Sequence, residues 1–263
     1  MSTRGPDTMA SVTYESEAIS RAFYEALTPA GLAARTRTEW DELILRDLAE
    51  LLPPASRILD VGCGYGRLAV PLAVAGHQVK GLDLSPTMIE AAQENAAAAG
   101  VRIPFVVGSM TDLPYDDASF DVVLCLWSAF HELLEVDAQT GAIHEMWRVL
   151  AGDGFGLIEG PPYASPTAGE IVSGDRRGPE HRVCWDLVDG SPNPHYLHDA
   201  HSFAERSRAA GVTSFAVLAR DWGGRARLLL RLNNDVDGPD DKAPTDRTDR
   251  RGGRSRGDTG ATS

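Results

Sequence analysis

The sequence predicts an α/β fold, built on a seven-stranded, mostly parallel sheet that ends in an antiparallel hairpin and carries helices on both faces. Short apolar segments alternate with helix-forming segments between residues 57 and 159. Such alternation is typical of parallel strands joined by right-handed helical crossovers. A glycine-rich turn follows the first apolar segment. Two final apolar segments, 213–219 and 225–232, flank an Asp-Trp-Gly-Gly turn and predict the hairpin.

Each remaining element has its own signal along the chain. Apolar residues at helical spacing predict two helices before the first strand, and Pro53-Pro54 ends the second of them. Ser85 and Pro86 supply the N-cap and first position of a later helix. The predicted helices are 18–27, 37–52, 66–75, 86–98, 140–150 and 199–210, and the predicted parallel strands are 57–61, 78–84, 103–107, 120–126 and 155–159.

Composition divides the chain into parts. Residues 1–12 are predicted to be a flexible N-terminus, and 13–232 a single folded domain. Within it, 160–198 holds many prolines and glycines and no long periodic run, but its aromatic residues favour an ordered substrate lid over a disordered insertion. Residues 233–263 are mostly Asp, Arg, Gly, Thr and Ser, with almost nothing to bury, and are predicted to be a disordered tail.

Charge and cysteine content exclude several classes of protein. The net charge of −13 over 263 residues would repel a polyphosphate backbone, so no nucleic-acid partner is expected. No segment approaches the roughly 20 apolar residues of a membrane span, and the N-terminus lacks the apolar core of a secretory signal. Three scattered cysteines (Cys63, Cys125 and Cys184) are typical of reduced thiols, so the predicted location is the cytoplasm. No oligomeric state is indicated.

The most informative segment joins the first strand to the next helix. Asp60 ends the strand, and Gly62, Gly64 and Gly66 follow at alternate positions. Glycines let the backbone turn sharply and approach a ligand closely, while the helix start offers free N–H groups. A dinucleotide loop is the competing interpretation, but it uses G-x-G-x-x-G spacing and holds a pyrophosphate, which Asp60 would repel. The carboxylate instead suits a cation, such as the ammonium of an amino acid.

Three further segments follow strands of the predicted sheet. Asp83 ends the second strand, where a carboxylate can accept hydrogen bonds from both hydroxyls of a ribose, and Met88 can pack near an adenine. Residues 108–114 (GSMTDLP) follow the third strand, and residues 120–127 (FDVVLCLW) contain the fourth. Because ligands of open α/β sheets bind outside the carboxyl ends of the strands, these segments are expected to share one crevice.

Taken together, these segments resemble class I S-adenosylmethionine-dependent methyltransferases of the small-molecule type. The resemblance rests on four motifs in order: LDVGCGYG (59–66), Asp83 with SPTM (85–88), DLP (112–114) with FDVV (120–123), and WRVLAGDG (147–154). It covers about residues 37–159 well and the hairpin more loosely. The resemblance implies a Rossmann-like fold, S-adenosylmethionine as the cofactor, and a small molecule as the methyl acceptor.

The resemblance also implies roles for individual residues. The family commonly has an Asp after the third strand that accepts from the adenine amino group; here Ser109 occupies that position and accepts more weakly, whereas the Met110 backbone N–H remains available. The other implied contacts are Asp60, Gly62, Cys63, Gly64 and Gly66 for the methionine part, Asp83 for the ribose, and Leu84, Met88 and Leu126 for the rest of the cofactor.

Methyl transfer from a sulfonium depends mainly on positioning, but an oxygen or protonated-amine acceptor also needs a base. His131 and Glu132 leave the fourth strand beside the expected methyl group and are the candidate catalytic residues. The alternative for His131 is that it packs against or caps the following helix. Tyr24, Trp127 and Tyr163 are the candidate acceptor-binding residues.

Three histidines at a spacing of three, His195, His198 and His201, raise the question of a metal site. The helix is predicted to begin near residue 199, so the three do not share one helical face. Helix capping or contacts of the lid are favoured, and no metal is expected.

The leading hypothesis from the sequence is a methyltransferase acting on an oxygen or nitrogen of a small molecule, with secondary metabolism as one setting. Methylation of carbon in a quinone-like molecule is the nearest alternative. A nicotinamide-dependent oxidoreductase and a non-catalytic binding module are more distant ones, and the absence of a basic groove disfavours protein or RNA methylation.

Overall fold

The computed structural model describes residues 14–163, 182–188 and 191–233. None of the helices in this described part combines the length and apolar content of a membrane span. The helices are α1 (Glu15–Arg35), α2 (Thr38–Leu51), α3 (Ala69–Val74), α4 (Pro86–Ala98), α5 (Val136–Arg148) and α6 (Ala200–Ala209), with a 3-10 turn at Ala129–Glu132. The strands are β1 (Arg57–Val61), β2 (Gln78–Asp83), β3 (Phe105–Val107), β4 (Phe120–Cys125), β5 (Leu150–Gly160), β6 (Val183–Val188), β7 (Ser191–Tyr196), β8 (Ser214–Asp221) and β9 (Ala226–Asn233).

Seven strands form the main sheet in the order β3-β2-β1-β4-β5-β9-β8. Strands β3, β2, β1, β4 and β5 pair in parallel, while β9 runs antiparallel to both of its neighbours. The predicted Rossmann-like fold class and its C-terminal hairpin are therefore confirmed. The chain order reverses at β1, which lies between β2 and β4, and this is where open α/β sheets bind ligands.

The central strands are buried on both faces because their residues alternate between two cores. Leu59 of β1 and Val123 of β4 pack in a cluster that includes residues of α5 and α6. Their neighbours Ile58 and Val122 belong to a second cluster with residues of α2 and α3. Apolar residues at every position of a short strand are typical of parallel strands covered by helices on both sides.

Helix α1 is longer than the sequence predicted at both ends. Its first turn buries Ser16 and Glu17 rather than apolar residues, so apolar periodicity misses it. At its other end, Thr28 leaves the helical conformation (φ 64°, ψ 156°) and a second helical stretch begins at Pro29. A residue before proline is disfavoured in helical geometry, whereas proline suits the first position of a helix. The expected end near residue 27 is thus a kink.

The segment predicted to be a lid, 160–198, contains a hairpin that the sequence did not indicate. Strands β6 and β7 pair antiparallel, with Trp185 opposite Pro194 and Leu187 opposite Pro192. Prolines concealed β7 because they are confined to edge positions of sheets, and a two-stranded ribbon consists of edges only. Residues 164–181 and 189–190 lie outside the described residues, as do 1–13 and 234–263. The lid, the flexible N-terminus and the disordered tail stay predictions.

Candidate functional site

A cavity lies at the carboxyl ends of β1, β2 and β4, beneath α1. It encloses about 1080 Å³ of empty space, including space open to solvent. Its walls are the glycine loop after β1, the end of β2, the loop after β4 and the inner face of α1. Ligand sites are typically clefts of this kind, with apolar walls and a few convergent polar groups.

The glycine loop takes the conformation that only its residue type adopts freely. Gly62, Gly64 and Gly66 have φ values of +71°, +52° and +81°. The backbone N–H groups of Gly62 and Cys63 both donate to the Leu82 carbonyl, at 2.7 and 3.0 Å. These bonds join the loop to β2, so the ends of β1 and β2 form one continuous wall of the cavity.

Gly62 also needs the space that its missing side chain leaves. A Cβ at Gly62 would lie 2.5 Å from the Ala129 Cβ, whereas a Cβ at Gly100, which has a similar φ of +72°, would meet nothing within 4 Å. We expect Gly100→Ala to lower the free energy of unfolding by about 1–2 kcal/mol, from backbone strain alone. Gly62→Ala should lower the free energy of unfolding by about 1–3 kcal/mol more than Gly100→Ala does, because its new methyl group also overpacks the site. Urea denaturation of both variants measures the difference; equal losses would mean that Gly62 and Ala129 are not closely packed.

Two carboxylates, one buried and one half-buried, face the cavity beside this loop. Asp60 is 3% exposed, and burial, helped by the charge of Asp83, raises the pKa of its carboxyl to about 7. Asp83 accepts hydrogen bonds from the backbone N–H groups of Gly64 (2.8 Å) and Ser85 (2.9 Å). Burial raises the pKa of Asp83, and these hydrogen bonds oppose the rise. A cationic ligand would favour the ionised form of both groups, so the cavity is suited to positive charge.

A tyrosine and a glutamate meet where α1 crosses the cavity. The Tyr24 hydroxyl donates to Glu132 Oε1 at 2.5 Å. Glu132 is 8% exposed, and burial raises its pKa to about 7 although the hydrogen bonds from Tyr24 and Ser20 lower it. Burial and the nearby Glu132 hold the Tyr24 pKa well above 10, so this hydroxyl keeps its proton. Glu132 is therefore a cavity carboxyl that titrates near neutral pH.

A carboxylate of α1 reaches the loop after β3. Glu17 is 6% exposed and lines the cavity. Its Oε1 accepts a hydrogen bond from the Ser109 hydroxyl, which also contacts the Thr111 hydroxyl at 2.7 Å. A carboxylate of α1 thus lies beside Ser109 at the loop after β3.

The loop after β4 is held in an unusual conformation by a buried ion pair. Trp127 and Ser128 have φ values of 59° and 72°, which side-chain-bearing residues seldom adopt. Glu159, fully buried at the end of β5, accepts the Trp127 backbone N–H at 2.8 Å and pairs with Arg227. Arg227 in turn donates to the Ser128 hydroxyl at 2.8 Å. These contacts fix Trp127 and the following 3-10 turn, which carries Glu132, at the cavity wall.

The stretch of chain that builds most of this cavity matches a known family. A family model described as a methyltransferase domain matches residues 58–154, from β1 into β5, and includes the glycine loop and the end of β2. Residues 58–154 therefore form a methyltransferase domain.

Individual relatives of this methyltransferase domain match it over part of their length. A demethylmenaquinone methyltransferase of Deinococcus radiodurans is 39% identical over 118 residues, which cover 44% of this chain and 47% of the relative. A ubiquinone biosynthesis O-methyltransferase of Xanthomonas axonopodis is 40% identical over 79 residues, which cover 30% of this chain and 33% of the relative. The chain thus spans less than half the length of these curated relatives.

A solved structure resembles the methyltransferase domain together with its flanking elements. The 1,6-didemethyltoxoflavin-N1-methyltransferase of Burkholderia thailandensis, solved with 1,6-didemethyltoxoflavin and S-adenosylhomocysteine, superposes with a TM-score of 0.62. It is 19% identical and covers 86% of this chain and 92% of that one. At this identity the likeness shows the fold alone.

The structure brings most of the predicted site residues to one cavity. The residues that line it are Asp60, Gly62, Cys63, Gly64, Asp83, Leu84, Met88, Met110 and Leu126 from the cofactor prediction, Tyr24 and Trp127 from the acceptor prediction, and Glu132 from the catalytic prediction. Their functional roles stay predictions.

Four predicted residues lie outside the cavity lining. Gly66 packs against Ala92 of α4, and the Ser109 hydroxyl contacts Glu17 and Thr111. Tyr163 lies under the Arg182 guanidinium at 4.7 Å. His131 is fully buried among aromatic rings; its own ring lies 5.1 Å from that of His198, and a Cβ at Gly160 would lie 1.9 Å from its Cε1. Burial lowers the His131 pKa well below its usual value, so this ring is neutral at physiological pH.

The histidine triplet is dispersed. His198 is fully buried, stacks on Phe203 at 4.4 Å and contacts the Ser202 hydroxyl, whereas His201 is exposed. Asp199 rather than a histidine caps α6, through a hydrogen bond from the Ser202 backbone N–H at 2.7 Å. Within the described ranges no group of three or more His, Cys, Asp or Glu side chains is placed to hold a metal ion.

Sequence reasoning missed several residues that line the cavity. Glu17 and Ser20 line the cavity together with Tyr24. Their spacing of three and four along the chain places the three residues on one face of a helix. That spacing was a usable signal, hidden because the helix was predicted to begin at residue 18. Arg67, directly after the glycine loop, also lines the cavity and was not singled out.

Proposed function

We propose that this protein transfers a methyl group from S-adenosylmethionine to an oxygen or nitrogen of a small molecule. The observation that carries the proposal is the pair of carboxylates, the buried Asp60 and the half-buried Asp83, at the two sides of a glycine loop in one cavity. The ligand it favours has a cationic part and hydrogen-bond donors, as the ammonium and ribose of S-adenosylmethionine do.

The residues present fit this cofactor. The glycine loop and Asp60 would hold its amino-acid part, and Asp83, fixed by the Gly64 and Ser85 N–H groups, would accept from its ribose hydroxyls. Leu84 and the buried Met88 supply apolar surface for its base. When bound, S-adenosylmethionine supplies a methyl group activated by a positively charged sulfur.

Glu132 is the group we assign to proton transfer, with Tyr24 as its positioning residue. An ionised Glu132 carboxylate in the cavity wall would take the proton that an acceptor hydroxyl releases when its oxygen bonds to the methyl carbon, the carbon–sulfur bond breaks and the sulfur keeps the electron pair. A base with a pKa near the working pH is the most efficient, and the Glu132 pKa of about 7 meets this condition. His131 is the less favoured base because its ring lies outside the cavity lining.

The names of the relatives support a small-molecule acceptor. They describe methylation of demethylmenaquinone, a step in ubiquinone biosynthesis and methylation of 1,6-didemethyltoxoflavin. The acceptor molecules in these names are cyclic and largely planar, and aromatic side chains such as Trp127 can pack against planar rings. Methylation at carbon of a quinone-like molecule is the nearest variant of this proposal.

Mass spectrometry of small-molecule extracts tests the activity. The full chain is incubated with extract and with S-adenosylmethionine that carries a deuterated methyl group. We expect a small-molecule product heavier by the labelled methyl, and much less of it in a parallel reaction with Asp60→Asn at the same limiting concentration of S-adenosylmethionine. Label in protein or RNA instead of a small molecule would contradict the proposed acceptor class.

Glu17 provides a test of how the adenine ring of the cofactor is bound. We propose that its carboxylate accepts from the adenine amino group, since it lines the cavity beside Met110 and is oriented by Ser109. We expect the wild-type protein to bind S-adenosylhomocysteine at least about 10-fold more tightly than S-inosylhomocysteine, which lacks that amino donor. Glu17→Gln should remove most of the difference in a calorimetric titration, while Glu15→Gln, exposed on the same helix, should keep it. An unchanged preference in Glu17→Gln would reject this role.

A further inference from the structure

An arginine in the cavity wall retains unsatisfied hydrogen-bonding capacity. Arg67 lines the cavity and its side chain is 13% exposed. Its Nε donates to Asp41 at 2.7 Å, but its buried Nη2 has no hydrogen-bond partner among the described residues. A guanidinium has five hydrogen-bond donors in a planar fork, and a buried donor without an acceptor is energetically costly. An oxyanion that contacts the Arg67 guanidinium would supply that acceptor.

Two tryptophans accompany this arginine. The Arg67 guanidinium lies 3.9 Å from the centre of the Trp127 ring, and Trp127 lies 6.3 Å from the Trp40 ring at an angle of 36°. Trp127 lines the same cavity. Aromatic faces beside a guanidinium favour a planar ligand whose ring can pack on the indole while its charged end meets the arginine.

Two further guanidinium groups lie beside the Trp40 ring. The Arg225 guanidinium lies 4.2 Å from the Trp40 ring centre, and that of Arg37 lies 5.3 Å from it. Among the described residues neither makes an ion pair, whereas Arg67 pairs with Asp41. Burial, and then the charges of Arg227 and Arg67, lower the Arg225 pKa, and the charge of Glu159 opposes this shift. An anionic ligand held by Arg67 would therefore have further guanidinium groups close by.

We propose that Arg67, with Trp127 and Trp40, binds the carboxylate end of a planar, aromatic methyl acceptor. This inference rests on the proposed function, because it assigns the acceptor side of the same cavity. A guanidinium and a carboxylate make charge-assisted, bidentate hydrogen bonds that a neutral amide of the same shape does not reproduce. The cofactor also carries a carboxylate, on its amino-acid part, so the two sources of this group need to be distinguished.

Calorimetric titration of the full chain with matched probes tests the proposal. The probes are 3,4-dihydroxybenzoate and its neutral isostere 3,4-dihydroxybenzamide, each with and without S-adenosylhomocysteine. We expect the acid to bind about 10-fold or more tightly than the amide. Arg67→Met should abolish this preference and Arg67→Lys should keep part of it, while both retain the wild-type affinity for S-adenosylhomocysteine within about 2-fold. Arg46→Met, at an exposed arginine of α2, should behave as wild type.

The other outcomes have definite meanings. Equal binding of acid and amide by the wild-type protein would overturn the proposal. So would a loss of S-adenosylhomocysteine affinity in Arg67→Lys as large as the loss for the acid, which would assign Arg67 to the cofactor carboxylate. Failure of the wild-type protein to bind S-adenosylhomocysteine would refute the proposed function instead, and the titrations without it would still report on Arg67.

Discussion

Replacing Glu132 by Gln should lower kcat by a factor of about 10² to 10⁴, the usual contribution of a positioned general base. The reason is that Gln cannot take the proton that an acceptor hydroxyl releases. With saturating S-adenosylmethionine, whose positive charge keeps Asp60 ionised, kcat/KM for the acceptor should rise with pH in the wild-type protein and level off above about 7, because Glu132, with its raised pKa of about 7, is protonated below that value. The pH profile of Glu132→Gln should lack this inflection.

Tyr24→Phe separates a positioning role from a catalytic one. The Tyr24 hydrogen bond lowers the Glu132 pKa, so its loss should move the inflection to higher pH while Glu132 still acts as the base. His131→Asn, in the same 3-10 turn, provides the matched comparison and should keep the wild-type inflection. An inflection lost with His131 and kept in Glu132→Gln would transfer the role of base to the histidine.

Replacing Asp60 by Asn should weaken S-adenosylmethionine binding by about 10- to 100-fold and yet stabilise the ligand-free protein at pH 8. The folded-state pKa of about 7 lies above the ordinary 3.8, so the folded chain binds more protons than the unfolded chain between these values. Ionisation of Asp60 therefore lowers the free energy of unfolding as pH rises from about 4 through 7. At pH 8 this loss is complete and on the order of 4 kcal/mol, and a neutral Asn avoids it.

Thermal denaturation at pH 5 and pH 8 measures this effect. The gain in Tm of Asp60→Asn should be larger at pH 8. Asp121 is the matched control because its pKa is lowered, chiefly by its hydrogen bond from Arg57, and because it does not line the cavity. Asp121→Asn should lose stability at pH 8 where Asp60→Asn gains it. A loss in both variants would mean that the ionised Asp60 is well solvated or paired in the folded protein.

The fold was predictable because its signals are local. Continuous apolar runs identify β1 and β4, which are buried on both faces, and Ser85 with Pro86 identifies the start of α4, where the Ser85 hydroxyl accepts the Met88 N–H. Elements without such signals were missed or shortened. The first turn of α1 buries polar side chains, and β7 contains two prolines.

The candidate site was predictable where function resides in one short segment. Asp60, Gly62, Gly64 and Asp83 line the cavity because they follow the carboxyl ends of two neighbouring strands, a placement that the chain order alone specifies; their roles stay predictions. Glu17 and Ser109 lie 92 residues apart in the chain, and Tyr24 and Glu132 lie 108 apart. Arg67 stands beside Trp127 and Trp40 only after three elements have packed. Such pairings depend on where α1 and α2 pack, which periodicity does not specify.

Calorimetric titration with S-adenosylmethionine at pH 7, in two buffers of different ionisation enthalpy, tests the central claim most directly. The carboxylate pair predicts a one-to-one complex in which Asp60 releases about half a proton, because a cation lowers the pKa of an Asp60 that is about half protonated at this pH. The total release should fall by about this amount in Asp60→Asn, where Glu132, whose pKa is also about 7, is the remaining source. Absence of binding, or binding of NAD⁺ in its place, would contradict the assignment of this cavity to S-adenosylmethionine.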